Sequence, residues 1–251
     1  MAGLSSRSSR FSAFMSSFAI QAGFNYDGFQ NLGFAAALLP ALNEIYEDEE
    51  ARNEAFRRHL DFFSAHPYLT TFSIGAVIKA EEERAAGSPD AMSDDEITRF
   101  KQASGNVLGS LGDGFFWAGM LPFAAITGLI VFLFAPLYGA LALLVIYNTP
   151  HLLARADGIR MGYESGPGML PGMGSKWAIM ATLWIKRAGA VALGMLIPYT
   201  VAHPETPGII EASLLIIFTS AAAWTISRRW NMPVLLMLGL VLGVAIYCVL
   251  S

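Results

Sequence analysis

The chain has 251 residues, of which 54% are hydrophobic and only 14% are charged, against about 25% charged in an ordinary soluble domain. Residues 47–101 hold 13 of the 20 acidic side chains and 7 of the 16 basic ones. This composition excludes an ordinary soluble domain, the acidity argues against a nucleic-acid partner, and the single cysteine excludes a disulfide framework or a thiolate metal site. We therefore interpret the chain as an all-α integral membrane protein with a charged, water-facing segment in its first half.

The first hundred residues contain only short apolar stretches. Residues 1–17 are predicted to form a cytoplasmic tail, and residues 18–112 to form amphipathic and re-entrant helical hairpins. Stretches such as "NLGFAAALLPAL" and "LTTFSIGAVIKA" are shorter than the roughly 20 residues that cross a bilayer as a helix. In "PDAMSDDE", Ser93 and Glu96 predict a capping box at the start of a helix.

Residues 113–251 are predicted to form a bundle of about five transmembrane helices. Ala135-Pro136 indicates a tight turn between the first two spans. The third span contains Lys186 and Arg187, and a charge at the bilayer centre costs about 2.5–3.5 kcal/mol on insertion scales. We therefore expect this charged part to lie at the membrane interface or in a protein-lined cavity. The predicted spans are 115–134, 137–150, 177–201, 209–226 and 232–250.

The distribution of basic residues predicts the orientation, because cytoplasmic loops collect Lys and Arg. Arg155, Arg160 and Lys176 follow the second span, and Arg228 and Arg229 follow the fourth. The two intervening connections contain neither Lys nor Arg. With five spans, this places the N-terminus in the cytoplasm and the C-terminus on the periplasmic or extracellular side.

Four segments, in the right order, resemble motifs of the IID membrane subunit of the mannose/fructose/sorbose-type bacterial sugar phosphotransferase system (PTS). They are "FNYDGFQNLGFAAALLPA", "RRHLDFFSAHP" with the later "EEERA", "LGSLGDGFFW", and "SRRWNMPVLLMLGL". The resemblance implies a multi-pass subunit of the inner membrane that pairs with a IIC subunit in a IIC–IID hetero-oligomer, in contact with membrane lipid. It implies that the pair carries a hexose or amino sugar, which a cytoplasmic IIB partner, charged by IIA, phosphorylates. The chain itself is then not catalytic and needs no cofactor.

Several positions depart from the family pattern. Leu121 stands where an arginine is usual, Ser64-Ala65 stands where Asn-Thr is usual, and a stretch that usually follows "MGYESG" is missing. These departures keep open an alternative, namely a non-transporting regulatory or structural membrane subunit derived from this family. A third hypothesis is a membrane-bound enzyme that uses His59 and His66.

The motif "GDGFFW" supplies the first candidate sugar-binding residues. Asp113 lies between Gly112 and Gly114, and glycine tolerates positive φ and close backbone approach. We therefore predict a chain reversal or helix break at membrane depth, where irregular backbone persists only beside protein or a cavity. Asp113 would accept sugar hydroxyl groups while Phe116 and Trp117 stack on a pyranose ring. The alternative is that Asp113 caps the helix that follows.

The glutamates of "AEEERA" form the second candidate group. Glu81, Glu82 and Glu83 occupy consecutive helical positions and cannot share one face. A solvated helix end is the favoured interpretation, and the alternative is that one of them binds a sugar or pairs with Arg84 while the others are solvated. The resemblance favours Glu81 and Glu82 as candidates.

The amides beside the first apolar helix form the third group. Asn25, Gln30 and Asn31 supply donors and acceptors together, which suits neutral hydroxyl ligands. Gly33 belongs to the same motif. The alternative is turn and cap chemistry, especially around Asn25 and Asp27.

The two histidines of "HLDFFSAHPYL" lie seven residues apart. Pro67 disfavours helical geometry at His66, and no cysteine or further histidine lies nearby in sequence, so we expect no metal site. We predict that His59 lies on an amphipathic helix that His66-Pro67 ends, leading into a re-entrant turn. Phe63 is a structural member of this motif, and His66 is expected to face the sugar path as a neutral group.

Overall fold

The computed structural model describes residues 6–173 and 176–202, and helices dominate this part of the chain. The only extended pairing in it consists of isolated bridges at Phe29. Residues up to Ala190 form one compact unit, and a second begins at Val191. The predicted spans 209–226 and 232–250 lie outside the described residues. The helices are α1 (Arg7–Ser16), α2 (Asn31–Ile45), α3 (Glu49–His59), α4 (Thr70–Ala85), α5 (Asp94–Gly112), α6 (Leu121–Phe134), α7 (Pro136–Ser165), α8 (Leu170–Met173) and α9 (Lys176–Ala202).

Two helical segments among the described residues are long and apolar enough to cross a membrane, Asp94–Phe134 and Pro136–Gly172. The first joins α5 to α6 through a π-helical stretch, Asp113–Met120. Between the two segments, Ala135 leaves helical geometry with φ −152° and ψ 85°, so the predicted tight turn at Ala135-Pro136 is confirmed. Both helices run well beyond the predicted limits of 115–134 and 137–150.

The predicted chain reversal at "GDG" is wrong. Gly112 has φ −66° and ψ −44°, and Asp113 has φ −60° and ψ −44°, which are ordinary helical values. The helix therefore continues, and Asp113 does not cap the start of a new one. A Cβ atom at Gly112 would lie 2.2 Å from Cβ of His66. Glycine is required here because the helix approaches His66 closely, not because the chain turns.

The predicted loop after the second span is shorter than expected, because α7 continues to Ser165. Pro150 lies inside α7, and Arg155 and Arg160 are both helical. An internal proline removes one backbone hydrogen bond, which membrane-protein helices tolerate when neighbouring groups satisfy the freed carbonyl. Arg155 is consequently a buried residue of α7.

Helix α4 is enclosed on almost every side rather than amphipathic, since most of its residues are buried. It packs against α7 through glycines. A Cβ at Gly158 would lie 2.1 Å from Oγ1 of Thr71, and a Cβ at Gly162 would lie 2.1 Å from a carbonyl oxygen of α4. On α4, a Cβ at Gly75 would lie 2.3 Å from a carbonyl oxygen of α7. Small residues four apart permit this close approach, as in other membrane helix pairs.

The capping box predicted before α5 is confirmed. The Ser93 side chain accepts a hydrogen bond from the backbone N–H of Glu96, and the Glu96 side chain accepts from the backbone N–H of Ser93. Two backbone donors at the start of the helix are thereby satisfied.

Candidate functional site

A buried carboxylate at the end of α4 organises the first cluster. The side chain of Glu81 is fully buried. It accepts hydrogen bonds from the Tyr46 hydroxyl at 2.7 Å, from Arg58 at 2.9 and 3.2 Å, and from Nε2 of His59 at 2.8 Å. Arg58 also donates to Asp94. We call Tyr46, Arg58, His59, Glu81 and Asp94 the Glu81 network.

The protonation states in this network follow from burial and contacts. Burial raises the pKa of Glu81, but the hydrogen bond from His59 and the charge and hydrogen bonds of Arg58 outweigh it and lower the pKa to about 2. Burial lowers the pKa of His59 more than contact with Glu81 raises it. The imidazole is therefore neutral at neutral pH and donates its Nε2–H, while Arg58 supplies the positive charge that balances Glu81.

A buried lysine fixes the end of α3 beside this network. Nζ of Lys101 donates to the carbonyl oxygens of Arg58 at 3.2 Å, His59 at 3.3 Å and Asp61 at 2.9 Å. The carbonyls of Arg58 and His59 belong to the last turn of α3, which leaves them without helical partners, and Asp61 lies just after the helix. Helix α3 therefore ends at His59, and its predicted continuation to His66 is wrong.

The predicted water-exposed end of α4 is also wrong for both glutamates that the resemblance favours. Glu82 is 3% exposed and accepts a hydrogen bond from the Tyr163 hydroxyl at 2.7 Å, which ties α4 to α7. Glu83 is partly exposed. The predicted pairing of a glutamate with Arg84 is not the one observed, because Arg84 pairs with Asp94 at 2.7 Å.

Two of the three candidate amides serve the loop before α2. Oδ1 of Asn25 accepts from the backbone N–H groups of Asp27 at 3.2 Å and Gly28 at 2.8 Å. Nδ2 of Asn25 donates to Asn31 at 2.9 Å, and Asn31 donates to the carbonyl of Leu60. The alternative of turn chemistry is thus confirmed for Asn25, whereas Asn31 ties this loop to the end of α3.

The third amide holds the loop that leads to His66. Gln30 donates to the carbonyl of Ala65 at 2.9 Å and accepts from the N–H of Ala65 at 3.1 Å. Phe63 is fully buried, with its ring centroid 4.1 Å from that of an aromatic ring of α2. A Cβ at Gly33 would lie 2.1 Å from a carbonyl oxygen of the turn after α1. These contacts position the loop between α3 and α4.

His66 itself lies in an aromatic cluster. It is 1% exposed, stacks on Phe116 with ring centroids 5.2 Å apart, and lies 4.8 Å from the rings of both Tyr68 and Trp117. Its Nδ1 accepts from the backbone N–H of Tyr68 at 3.3 Å, and burial favours the neutral form of an imidazole. The neutral ring therefore carries its proton on Nε2, which has no hydrogen-bond partner in the described part of the chain.

Helix α7 supplies the opposite side of this cluster. The Tyr68 ring stacks on His151 with centroids 4.2 Å apart, and its hydroxyl lies 3.3 Å from that of Tyr147. The guanidinium of Arg155 lies 5.3 Å from the Tyr68 ring centroid. His151 Nε2 is bonded to Asn148 at 2.9 Å. Nδ1 of His151 and Nε of Arg155 are buried and find no partner among the residues described.

We call these residues the Tyr68 cluster, because each of them packs against Tyr68 or against His66. It combines aromatic faces with buried hydrogen-bond donors and one acceptor that have no hydrogen-bond partner in the described part of the chain. Neutral hydroxyl groups, which donate and accept together, match such a set without the desolvation cost of a charge. The members are His66, Tyr68, Phe116, Trp117, Tyr147, His151 and Arg155.

The members on α7 are absent from the predicted site residues, although the sequence carries a signal for them. Tyr147, His151 and Arg155 are spaced four apart, and therefore lie on one face of a helix whose first half is apolar. Ionisable residues inside a membrane helix indicate function by default. Their distance in sequence from His66 hides the contact, since Tyr68 and Tyr147 are 79 residues apart.

The structure brings together only some of the predicted site residues. His66, Phe116 and Trp117 share the Tyr68 cluster, and Asp113 is exposed one turn before Phe116. His59 belongs to the separate Glu81 network, so the two histidines do not form one site. Within 6–173 and 176–202, no group of three His, Cys, Asp or Glu residues is arranged to hold a metal ion.

Comparison with known sequences gives consistent matches along the chain. A family model described as "PTS system mannose/fructose/sorbose family IID component" matches residues 5–250. The chain is 28% identical to the "PTS system mannose-specific EIID component" of Escherichia coli, over 93% of this chain and 90% of that protein. It is 27% identical to the "Fructose permease IID component" of Bacillus subtilis, over 74% of this chain and 67% of that protein.

Solved structures show the same similarity. The fold is similar to a chain in the cryo-EM structure of the mannose transporter ManYZ with a microcin, with a TM-score of 0.61 and 25% identity over 97% of this chain and 96% of that one. It is also similar to a structure described only as a membrane protein, with a TM-score of 0.76 and 26% identity over 97% of each chain.

Proposed function

Because the chain belongs to the mannose/fructose/sorbose family of PTS IID components, we propose that it pairs with a IIC subunit to carry a hexose or an amino sugar across the bacterial inner membrane. A cytoplasmic IIB partner, charged by IIA, phosphorylates the sugar as it emerges, and this chain supplies no catalytic residue. Relatives named for mannose, fructose and sorbose support this substrate class.

The Tyr68 cluster is the observation that carries the proposal. About 20 helical residues cross the hydrocarbon layer, so Tyr147 and His151 lie at membrane depth when the span begins at Pro136. At that depth, the unpartnered Nε2–H of His66 is available to a sugar hydroxyl. Trp117 is 50% exposed beside it, which leaves an indole face for a pyranose ring.

We divide the sequence-derived candidates between two roles. Sugar contact is assigned to residues of the cluster and of the adjoining π-helical stretch: His66, Asp113, Phe116 and Trp117. Positioning of the loop that carries His66 is assigned to residues whose polar groups are bonded within the protein: Asn25, Gln30, Asn31, Glu81 and Glu82.

The proposal includes an orientation. The charged segment before α5 lies in the cytoplasm, the turn at Ala135 lies on the opposite side, and the C-terminus is periplasmic or extracellular. In a Cys248→Ser protein, we expect a thiol introduced as Asp90→Cys to react with an impermeant maleimide in inverted vesicles only. Labelling in intact cells would show that the orientation is the reverse of the one proposed.

The decisive experiment is uptake by a reconstituted system. The chain is co-expressed with its IIC, IIB and IIA partners in cells that lack their own hexose transporters, and uptake and phosphorylation of labelled hexoses and amino sugars are measured. We expect phosphorylated sugar to accumulate only when all four components are present. Assembly of the IIC complex without uptake of any of these sugars would refute transport, and would favour the non-transporting subunit that Leu121 and Ser64-Ala65 leave open.

A single substitution tests the sugar-contact role within that system. Asp113→Asn keeps the size of an exposed side chain and removes its charge, so assembly is expected to be unaffected and sugar binding to weaken. Binding that is unchanged in equilibrium dialysis would remove Asp113 from the sugar-contact residues.

A further inference from the structure

A groove with a volume of about 460 Å³ lies between α1 and the last turns of α7. It is separate from both polar clusters described above, and no predicted site residue lines it. Apolar and aromatic side chains form its walls together with two arginines and the carboxylate of Glu164. Those that matter here are Phe11, Phe14, Ile159, Tyr163, Arg10 and Arg160.

Helix α1 presents different chemistry on its two faces. Ser9 and Ala13 are buried against the protein, whereas Phe11 is 63% exposed and Met15 is 51% exposed. Phe18 continues the exposed aromatic face at 46%. An exposed aromatic face on a helix that also carries arginine is typical of helices that lie in the membrane interface.

The groove lies where α7 leaves the hydrocarbon layer. A span of about 20 residues that begins at Pro136 ends close to Arg155. The α7 residues that line the groove run from Ala156 to Glu164, and they extend the helix by about 1.5 Å per residue beyond that point. The groove is therefore at the depth of the lipid headgroups.

The charges of the groove suit a phosphate group. The guanidinium of Arg10 lies 4.3 Å from the Tyr163 ring centroid. Arg160 is exposed, with Asp157 at 3.5 Å and Glu164 at 3.8 Å. Exposed ion pairs of this kind contribute little stability. A guanidinium binds phosphate through paired hydrogen bonds, so a phosphodiester can replace these carboxylates as its partner.

We propose that this groove binds an anionic phospholipid. The phosphate contacts Arg10 and Arg160, and one acyl chain lies along Phe11, Phe14 and Ile159. The bound lipid fills the space between α1 and α7 and holds α1 in the plane of the membrane interface.

The test uses the purified full-length chain in a neutral detergent. Dioctanoyl phosphatidylglycerol and dioctanoyl phosphatidylcholine are titrated separately, and bound lipid is counted by native mass spectrometry. We expect phosphatidylglycerol to bind about tenfold more tightly, as expected for an anionic lipid beside basic residues. The preference is expected to shrink at high salt because exposed charges are screened.

Two variants locate the binding site. The double variant Arg10→Gln and Arg160→Gln is expected to lose the preference, whereas Arg99→Gln, which changes an exposed arginine of α5, is expected to keep it. Arg160→Gln alone replaces the double variant if the latter does not purify as a folded protein. Phe11→Ser is expected to weaken the binding of both lipids, because it removes part of the apolar wall.

Three results would overturn the proposal. These are equal affinities for the two lipids in the unaltered chain, an equal loss of preference in Arg99→Gln, and loss of bound phosphatidylglycerol when the IIC subunit is added. The last result would show that the groove is a protein interface. None of them bears on sugar uptake, so this proposal and the proposed transport function succeed or fail separately.

Discussion

The Glu81 network and the Tyr68 cluster are two buried polar regions that flank one loop, and each contains one of the two histidines. The Nε2–H of His59 has a carboxylate oxygen 2.8 Å away, whereas the Nε2–H of His66 has no acceptor in the described part of the chain. The first region is closed by its own contacts. The second keeps a donor that only something outside the described residues can satisfy.

This difference indicates which region holds the fold and which is available for a ligand. A buried donor without a hydrogen-bond partner lowers the free energy of unfolding by about 1–3 kcal/mol. A substitution that removes only this donor and keeps the packing recovers that free energy. The unpartnered Nε2–H of His66 therefore lowers the stability of the protein, so stability does not account for it. Glu81, by contrast, joins α2, α3 and α4 by direct hydrogen bonds.

The largest effect is expected from Glu81→Ala. The substitution leaves Arg58 and His59 beside a cavity without their carboxylate, and breaking a buried ion pair in this way costs about 3–5 kcal/mol. We expect a large fall in the thermal unfolding midpoint of the purified protein, followed by intrinsic tryptophan fluorescence. Glu83→Ala is the matched control, because Glu83 is partly exposed and its pair with Lys79 spans 3.5 Å. Equal effects of the two substitutions would show that Glu81 does not organise this region.

Local sequence patterns predict the parts of this comparison that depend on neighbouring residues. The capping box at Ser93, the turn at Ala135-Pro136 and the turn chemistry of Asn25 are all set within a few positions of the chain. The motif order also identifies the family, because four segments are matched along nearly the whole chain. The burial of Glu81 is not predictable in this way, since its partners Tyr46 and Arg58 are 35 and 23 residues away.

The wrong predictions have the same physical origin. The glycines flanking Asp113 suggest a helix break, but the missing side chain at Gly112 serves a contact with His66, and the sequence does not reveal which neighbour approaches. The acidic run at Glu81 suggests a solvated helix end because charge usually faces water. The burial of Glu81 is favourable because of its contact with Arg58, and that of Glu82 because of its contact with Tyr163. Both partners are distant in sequence.

The pH dependence of stability gives the second prediction. The pKa of Glu81 lies near 2 in the folded protein, below its ordinary value of about 4.3 in an unfolded chain. The ionised carboxylate therefore stabilises the fold at neutral pH, and this contribution is lost as the pH falls from about 4.3 to about 2, by roughly 3 kcal/mol in total. We expect the unfolding midpoint of the unaltered protein to fall more steeply over this range than that of Glu81→Gln. Parallel curves would contradict the assignment.

The third prediction concerns the glycine beneath His66. A Cβ added at Gly112 would lie 2.2 Å from Cβ of His66, whereas one at Gly109 would have its nearest neighbour 3.9 Å away. Overpacking of this kind costs about 1–3 kcal/mol, so Gly112→Ala is expected to lower the unfolding midpoint and to disturb the Tyr68 cluster. Gly109→Ala is expected to be neutral or stabilising, since alanine is favoured over glycine by about 1 kcal/mol inside a helix. A neutral Gly112→Ala would mean that α5 does not approach His66 this closely.

The smallest change in stability, with the most direct bearing on function, is expected from His66→Phe, for which His59→Phe serves as the comparison. His59→Phe removes the donor to Glu81 and is expected to cost about 1–3 kcal/mol, the penalty for losing one partner of a buried hydrogen bond. His66→Phe keeps an aromatic ring against Phe116 and removes an Nε2–H that has no partner among the described residues. It also removes the acceptor of the Tyr68 backbone N–H, 3.3 Å away, so its unfolding midpoint is expected to fall by less than that of His59→Phe. In the reconstituted uptake assay, His66→Phe is expected to bind sugar more weakly although the protein folds and assembles normally. If His66→Phe instead unfolds as readily as His59→Phe, the Nε2–H of His66 has a partner within the protein, and the two regions do not differ in the way proposed.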